Sequence, residues 1–290
     1  MVAASRIRRL ARFQWTKIDD CRSGSQDGSV IRFAVLGSGS SGNSAVVECG
    51  DHRLLVDAGL SAKQLELRLI SLGIDPTSLD AILLTHEHGD HVRGLKVFLK
   101  KFGVPVWATP QTTKVVKEIG IEHGCWKTFE SGQCIELDNQ DAKIQTFAIQ
   151  HDAVDPVGFV FSYQGRRLGF VSDAGFVTHS MRESLRELHG LFIESNYDEG
   201  LLNADTKRPW SIKQRISSSH GHLSNKQVGQ LLVEIIHPRF EHVVLGHLSS
   251  DCNQPDIALD YLRRCLLEAG SSQVSLQCAR QDEPTDWIQF

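Results

Sequence analysis

The sequence packs three imidazoles and the Asp90 carboxylate into the six-residue stretch His86-Glu87-His88-Gly89-Asp90-His91. The apolar run that precedes it, Ala81–Thr85 (AILLT), reads as a short buried strand. Four donors at the C-terminal end of a buried strand occupy the usual place for a site in helix-covered sheets. His86 and His88 are two apart, so in extended backbone they point the same way. Gly89 frees the chain to turn. Asp90 and His91, at the start of a helix, can then face a second ion. Histidine with aspartate suits Zn, Mn or Fe rather than Ca or a thiolate-selected metal. The bland alternative, a polar loop of unpaired surface histidines, leaves that crowding unexplained.

The surrounding pattern supplies such a sheet. Strands are expected at 31–36, 45–49, 54–57, 104–108, 125–129, 133–137, 143–149, 157–163, 167–172, 190–194, 242–246 and 273–278. Helices are expected from Ser61 to Leu72, over 91–102, from Pro110, over 178–188, after Ser224 and Asn225, and over 255–268. Ser61, Ser224 and Asn225 are capping candidates; Thr109-Pro110 starts a helix, and Pro110 and Pro255 suit a first helical turn. Helices punctuate two strand-rich regions, so the class is α/β or α+β, with large mixed sheets covered by helices. Residues 1–30 stand apart as a basic extension, expected to be disordered, and 31–290 form the folded domain. The extension carries Arg6, Arg8, Arg9 and Arg12 but lacks the apolar segment of a secretory signal. Without it the chain holds 25 basic and 32 acidic residues, a net charge of −7. That balance excludes binding to nucleic acid by bulk basicity, though not through a local groove. Seven cysteines with no CxxC pair suit a reduced cytoplasm. No apolar run reaches the ~18 residues of a membrane helix.

Gly37-Ser38-Gly39-Ser40-Ser41-Gly42 matches GxGxxG after a strand, but NSAVVEC follows where a dinucleotide fold needs a helix. A tight turn is the better reading. Its backbone N–H groups, with Ser38, Ser40 and Asn43, are candidates to receive a phosphate. Lys207, Arg208, Lys213 and Arg215 surround Trp210. They suit a phosphate track with base stacking, or an ordinary solvated face. His222 precedes a helix start and suits an anion contact or a capping loop equally.

HxHxDH is the signature of the metallo-β-lactamase superfamily, which this chain resembles from about Ile31 to Leu267. The resemblance implies an αββα sandwich of two mixed sheets and two divalent ions, Zn or Mn. It also implies the remaining site residues. Asp57 in LLVDAGL would support the ligand loop. His151, rather than the competing His123, Asp173 in GFVSDAG and His247 in VVLGHLSS would be ligands. One ion would take His86, His88 and His151, the other Asp90, His91 and His247, with Asp173 and a hydroxide bridging them. His179 and His220 are read as surface residues, and Glu87 as pointing to solvent.

GSGSSGNS, LLVDAGL, THEHGDHVRGL, HDAVDPVGF, SDAG, IESNYD and GHLSN are similar to the bacterial YycJ/WalJ-like branch. That branch implies a metal-dependent 5′–3′ exonuclease acting on DNA. Asp90 is the expected catalytic proton acceptor, and the likeness of His222 to a histidine of ribonuclease Z-like members implies a catalytic contact with the scissile phosphate. Tyr197 stands where the branch has a histidine. Asn196, Lys213, Arg215 and Asn225, with Ser38 and Asn43, are the expected substrate contacts. Two rival functions remain: another hydrolase of the superfamily, acting on RNA or a small phosphodiester, and a non-catalytic metal-stabilised module that binds nucleic acid.

Overall fold

A computed structural model describes residues 30–122, 124–137 and 141–290. The expected extension 1–30 and the competing His123 lie, apart from Val30, outside the described residues. In chain order the strands are β1 (Ile31–Gly37), β2 (Ser44–Cys49), β3 (His52–Val56), β4 (Ala81–Leu83), β5 (Val106–Ala108), β6 (Trp126–Thr128) and β7 (Cys134–Glu136). They continue with β8 (Ala142–Ala148), β9 (Val157–Tyr163), β10 (Arg166–Val171), β11 (Gly190–Glu194), β12 (His242–Gly246), β13 (Ser275–Cys278) and β14 (Ile288–Gln289). The helices are α1 (Ala62–Ser71), α2 (Gly89–Val92), α3 (Leu95–Phe102), α4 (Pro110–Glu118), α5 (His179–Ser184), α6 (Glu199–Ala204), α7 (Trp210–Ile216), α8 (Asn225–Ile235) and α9 (Pro255–Glu268).

The strands form two seven-stranded sheets, ordered β14-β1-β2-β3-β4-β5-β6 and β13-β12-β11-β10-β9-β8-β7. Each sheet is antiparallel in one half and parallel in the other, with β3–β4–β5–β6 and β10–β11–β12–β13 parallel. Alternate side chains explain the layering. Phe33, Val35, Val47 and Leu54 meet Phe159, Phe161, Phe170 and Val244 between the sheets. Ala34, Leu36, Leu55 and Ile82 face outward under α1, α3 and α4, packing on Leu65, Phe98 and Val116. Val171, Leu191, Ile193 and Val243 do the same under α5, α8 and α9. Both faces of each sheet are covered, so the central strands read as continuous apolar runs. The expected αββα sandwich is the observed one. No helix among the described residues is long and apolar enough to cross a membrane.

Local expectations differ from the structure in four places. The helix expected over 91–102 is split into α2 and α3. Gly94 sits at the break, donating its N–H to the Ala58 carbonyl (2.8 Å), and a Cβ there would lie 2.0 Å from the Leu60 oxygen. The helix expected over 178–188 stops at Ser184. The segment between β11 and α8 contains α6 and α7, and α7 buries none of its residues, so no apolar stripe announced it. The polar tail includes β14, which pairs antiparallel with β1.

Candidate metal centre

The parallel strands of both sheets end at one edge of the sandwich, where Thr85 O accepts from Val157 N across the sheets (3.0 Å). From the first sheet comes the 85–91 loop after β4. Asp57, just past β3, anchors it. This carboxylate is buried and accepts from Thr85 N (2.8 Å), Thr85 Oγ1 (2.8 Å) and His91 Nδ1 (2.7 Å). Its φ of +59° places a non-glycine residue in the left-handed region, a strain that its three bonds offset. Gly59 lets the chain pass beneath: a Cβ there would fall 1.6 Å from the Asp90 carbonyl oxygen.

The second sheet contributes through register. Val171, Ile193 and Leu245 are paired neighbours on β10, β11 and β12. Beyond that row the three strands deliver Asp173, Glu194 and His247 to the same rim. His151 follows β8.

The ligating atoms of His86, His88, His151 and Asp173 lie within 4.8 Å of one another, and so do those of Asp90, His91, Asp173 and His247. Asp173 is common to both groups. Its carboxylate is 4.0 Å from His86 Nε2, 3.7 Å from His151 Nε2, 3.5 Å from His91 Nε2 and 3.5 Å from His247 Nδ1. Three outer bonds set the tautomers. His86 Nδ1 donates to Thr85 Oγ1 (2.9 Å), His151 Nδ1 to the Gly221 carbonyl (2.9 Å) and His91 Nδ1 to Asp57. Each leaves Nε2 directed at the cluster. His86 Nε2 is buried without a hydrogen-bond partner among the described residues. His151 Nε2 and His88 Nδ1 face each other at 3.3 Å. Lone pairs converging on a buried carboxylate fit a cation, and the His/Asp set fits Zn or Mn.

The electrostatics keep His86 and His151 neutral and Asp173 charged, while His91 is held by the carboxylates beside it. Burial, then the neighbouring His91, pushes His86 well below the usual imidazole range, and burial takes His151 down to about 4. Burial also opposes charge on His91, but Asp57 and Asp173 overcome it and hold its pKa well above normal. For Asp173 burial disfavours ionisation, and the imidazoles of His247 and His91 outweigh it, keeping the carboxylate charged.

A third group adds His222 and Glu194, the one member that sequence reasoning missed, to Asp173 and His247. Glu194 is fully buried. It accepts from His222 Nδ1 (3.0 Å), Leu223 N (3.1 Å) and Ala174 N. His222 lies between His151 and His247, each ring centroid 5.2 Å away. Burial opposes its charge and Glu194 favours it, moving its pKa up to about 9. A carboxylate ending the apolar run GLFIE was the available sequence signal for Glu194.

The expected substrate contacts are placed otherwise. Ser38 and Asn43 are buried beneath the cluster. Asn43 donates to Asp90 Oδ2 (3.2 Å), and Ser38 Oγ accepts from His247 N (2.8 Å). Asn196 donates to the His247 carbonyl (2.8 Å), securing a residue with φ of +51°. Asn225 is buried against Ser195 (2.6 Å) and Asn253. These four side chains are buried, and their hydrogen bonds run to ligand residues or to the floor of the site. Ser40, His220, Ile212 and Arg215 line the cleft over the cluster, about 300 Å³ in volume. Arg215 is paired there with Asp152 (2.7 Å), while Lys207 and Arg208 pair with Asp251 (3.1 and 2.8 Å). The expected basic track is therefore largely neutralised. Lys213 lies outside the cleft lining and donates to the Asn203 carbonyl (2.9 Å). Glu87 does not point to solvent: its Oε1 accepts from Val154 N (2.9 Å) and pins the loop after His151. His179 is an exposed first residue of α5, capped by Thr178.

A family model described as a β-lactamase superfamily domain matches residues 52–247. Exodeoxyribonuclease YycJ of Bacillus anthracis is 33% identical over 242 residues, covering 83% of this chain and 90% of that protein. Exodeoxyribonuclease WalJ of Streptococcus pneumoniae is 35% identical over 232 residues, 79% of this chain and 85% of WalJ. Among solved structures, the metallo-β-lactamase-fold protein YhfI from Bacillus subtilis superposes with a TM-score of 0.67 at 17% identity, covering 90% of this chain and all of that one. With a core packed in four layers, and a histidine–aspartate cluster at the sheet ends, the chain belongs to the metallo-β-lactamase superfamily, in the branch of the YycJ and WalJ proteins.

Proposed function

We propose that this protein is a metal-dependent phosphodiester hydrolase, a DNA exonuclease working 5′ to 3′ with two divalent ions, Zn or Mn. The observation that carries the reading is the convergence of donors from both sheets on Asp173, with His222 at the same cleft. Near full-length similarity to two exodeoxyribonucleases supports the choice of DNA. His86, His88 and His151 would hold one ion, and Asp90, His91 and His247 the other, with Asp173 shared. When bound, such ions supply Lewis acidity, polarising a phosphoryl oxygen and acidifying water.

The chain's own groups do the rest. Asp90 is the most exposed carboxylate of the centre, 20% accessible, and is placed to take a proton. Asn43 fixes its orientation. His222, held at Nδ1 by Glu194, keeps Nε2 to donate toward the scissile phosphate or the leaving oxygen. The six cysteines of the described residues are all free, which suits a cytoplasmic enzyme.

A second reading, a small phosphodiester as substrate, is favoured by the pairing of Arg215, the one arginine or lysine lining the cleft among the described residues, with Asp152. End-labelled linear duplex DNA with Mn²⁺ separates the two. Stepwise 5′-end loss with wild type and none with Asp90→Ala is the expected result. Intact DNA, alongside rapid hydrolysis of a nitrophenyl phosphodiester, would replace the exonuclease with a small-substrate enzyme.

A further inference from the structure

Helix α7 is a wall with a cleft on each side. Ile212, Arg215 and Ile216 face the cleft over the metal centre. Trp210, Lys213 and Gln214 face a second one, about 460 Å³, lined also by Tyr197, Glu199, Lys226 and Gln230. The second cleft contains none of the histidines or aspartates of the centre. Trp210 is 67% exposed at its edge, a large indole face left in water with no packing role in the core. Gln214 and Gln230 are exposed amides, each offering both a donor and an acceptor. Lys213 gives its ammonium to a backbone carbonyl rather than to a carboxylate. Lys226 is only loosely paired with Glu199, at 3.8 Å.

An aromatic face, amides able to meet a base edge and two ammonium groups are the chemistry of an unpaired nucleotide. An α-helix is about 10 Å across with its side chains, so the two clefts lie within a few nucleotides of each other along one strand. We infer that the cleft between α7 and the start of α8 is a nucleotide subsite, where a base of an unpaired strand stacks on Trp210 and its phosphates meet Lys213 and Lys226. This rests on the nuclease reading and deepens it: the substrate engaged would have a single-stranded segment beside the cut.

The test is fluorescence anisotropy with the metal-loaded full chain and a short single-stranded phosphorothioate oligothymidylate, whose linkages resist hydrolysis. Trp210→Ala should weaken binding about tenfold and Trp210→Phe much less, as stacking requires. Lys226→Glu, on α8, should weaken it independently. A flush duplex of the same length should be affected less by all three. Wild-type binding by both Trp210→Ala and Lys226→Glu overturns the subsite, and so does equal loss with Trp210→Ala and Trp210→Phe. Digestion of ordinary DNA by wild type is scored separately. Digestion with no effect of the variants on binding removes the subsite and leaves the nuclease standing. Trp210-dependent binding without any digestion removes the nuclease and leaves a strand-binding cleft.

Discussion

The two sheets feed the same centre in opposite ways. The first supplies His86, His88, Asp90 and His91 from one loop, all within six residues. The second supplies His151, Asp173, Glu194 and His247 one at a time, each from the end of a different strand. The loop is held locally, by Asp57 and a tight glycine passage. The strand-end donors are held by register, since a slip of one residue on β10 or β12 would turn Asp173 or His247 away from the rim. The difference teaches that one half of such a site is a motif and the other half is a property of the whole sheet.

The sharpest way to break this pairing is at the residue that joins the halves. Asp173→Ala should lower phosphodiester hydrolysis roughly a thousandfold. Metal analysis should show loss from both positions; loss from one alone would mean that the halves bind independently. Next come the anchors, one from each half. Asp57→Asn should cut metal affinity about 10- to 100-fold, read by titration with a chelator. Glu194→Gln should cost a similar factor in turnover while metal content stays at the wild-type level, because its partner is His222. If Glu194→Gln loses metal as well, His222 is part of the ligand set. A smaller effect is expected for Asn196→Ala, which strands the buried His247 carbonyl. It should cost about 1–3 kcal/mol of stability, read as a lower denaturation midpoint.

The smallest effect lies away from the centre, on β2. Burial raises the pKa of Glu48, but bonds from Arg32 (2.5 Å) and Arg53 (2.7 Å) prevail and hold it below the usual value. A carboxylate depressed in the folded state stabilises above its unfolded pKa. That contribution fades as pH falls through the folded value. Glu48→Gln should therefore flatten the acid limb of a stability profile by no more than about 1 kcal/mol, since Arg32 is well exposed. The loss of stability in Glu48→Gln should be constant near neutral pH and fade only toward acid, so an altered slope near neutral pH would contradict this assignment.

The same contrast governs what the sequence made legible. The 85–91 loop could be read because its chemistry is local. The caps at Ser61 and Ser224 could be read for the same reason, and each is seen with its bond to the backbone, while Asn225 is the first residue of the helix instead. Strands β9, β11 and β12 and helix α9 fall at the expected residues, since their apolar runs are long and bounded. What escaped depends on distant partners. Ser38, Asn43 and Asn196 look like open polar residues until strand pairing puts them under Asp90 and His247. Glu194 looks like a strand end until β11 lies beside β10. Helix α7 has no buried residue to betray it. The break at Gly94 exists because another loop passes close by. Asp57, His151, Asp173 and His247 were named through resemblance to a superfamily rather than from their neighbours in the chain.

The bond between Thr85 and Val157, which joins the two sheets, has a consequence for how the molecule comes into being. A chain emerging from the ribosome would carry its loop imidazoles long before Asp173 and His247 exist. A half-made chain can gather at most four of the donors, without the carboxylate that both groups share. The donor set is complete only once His247 has been made, so the two halves of the centre can meet only late in synthesis.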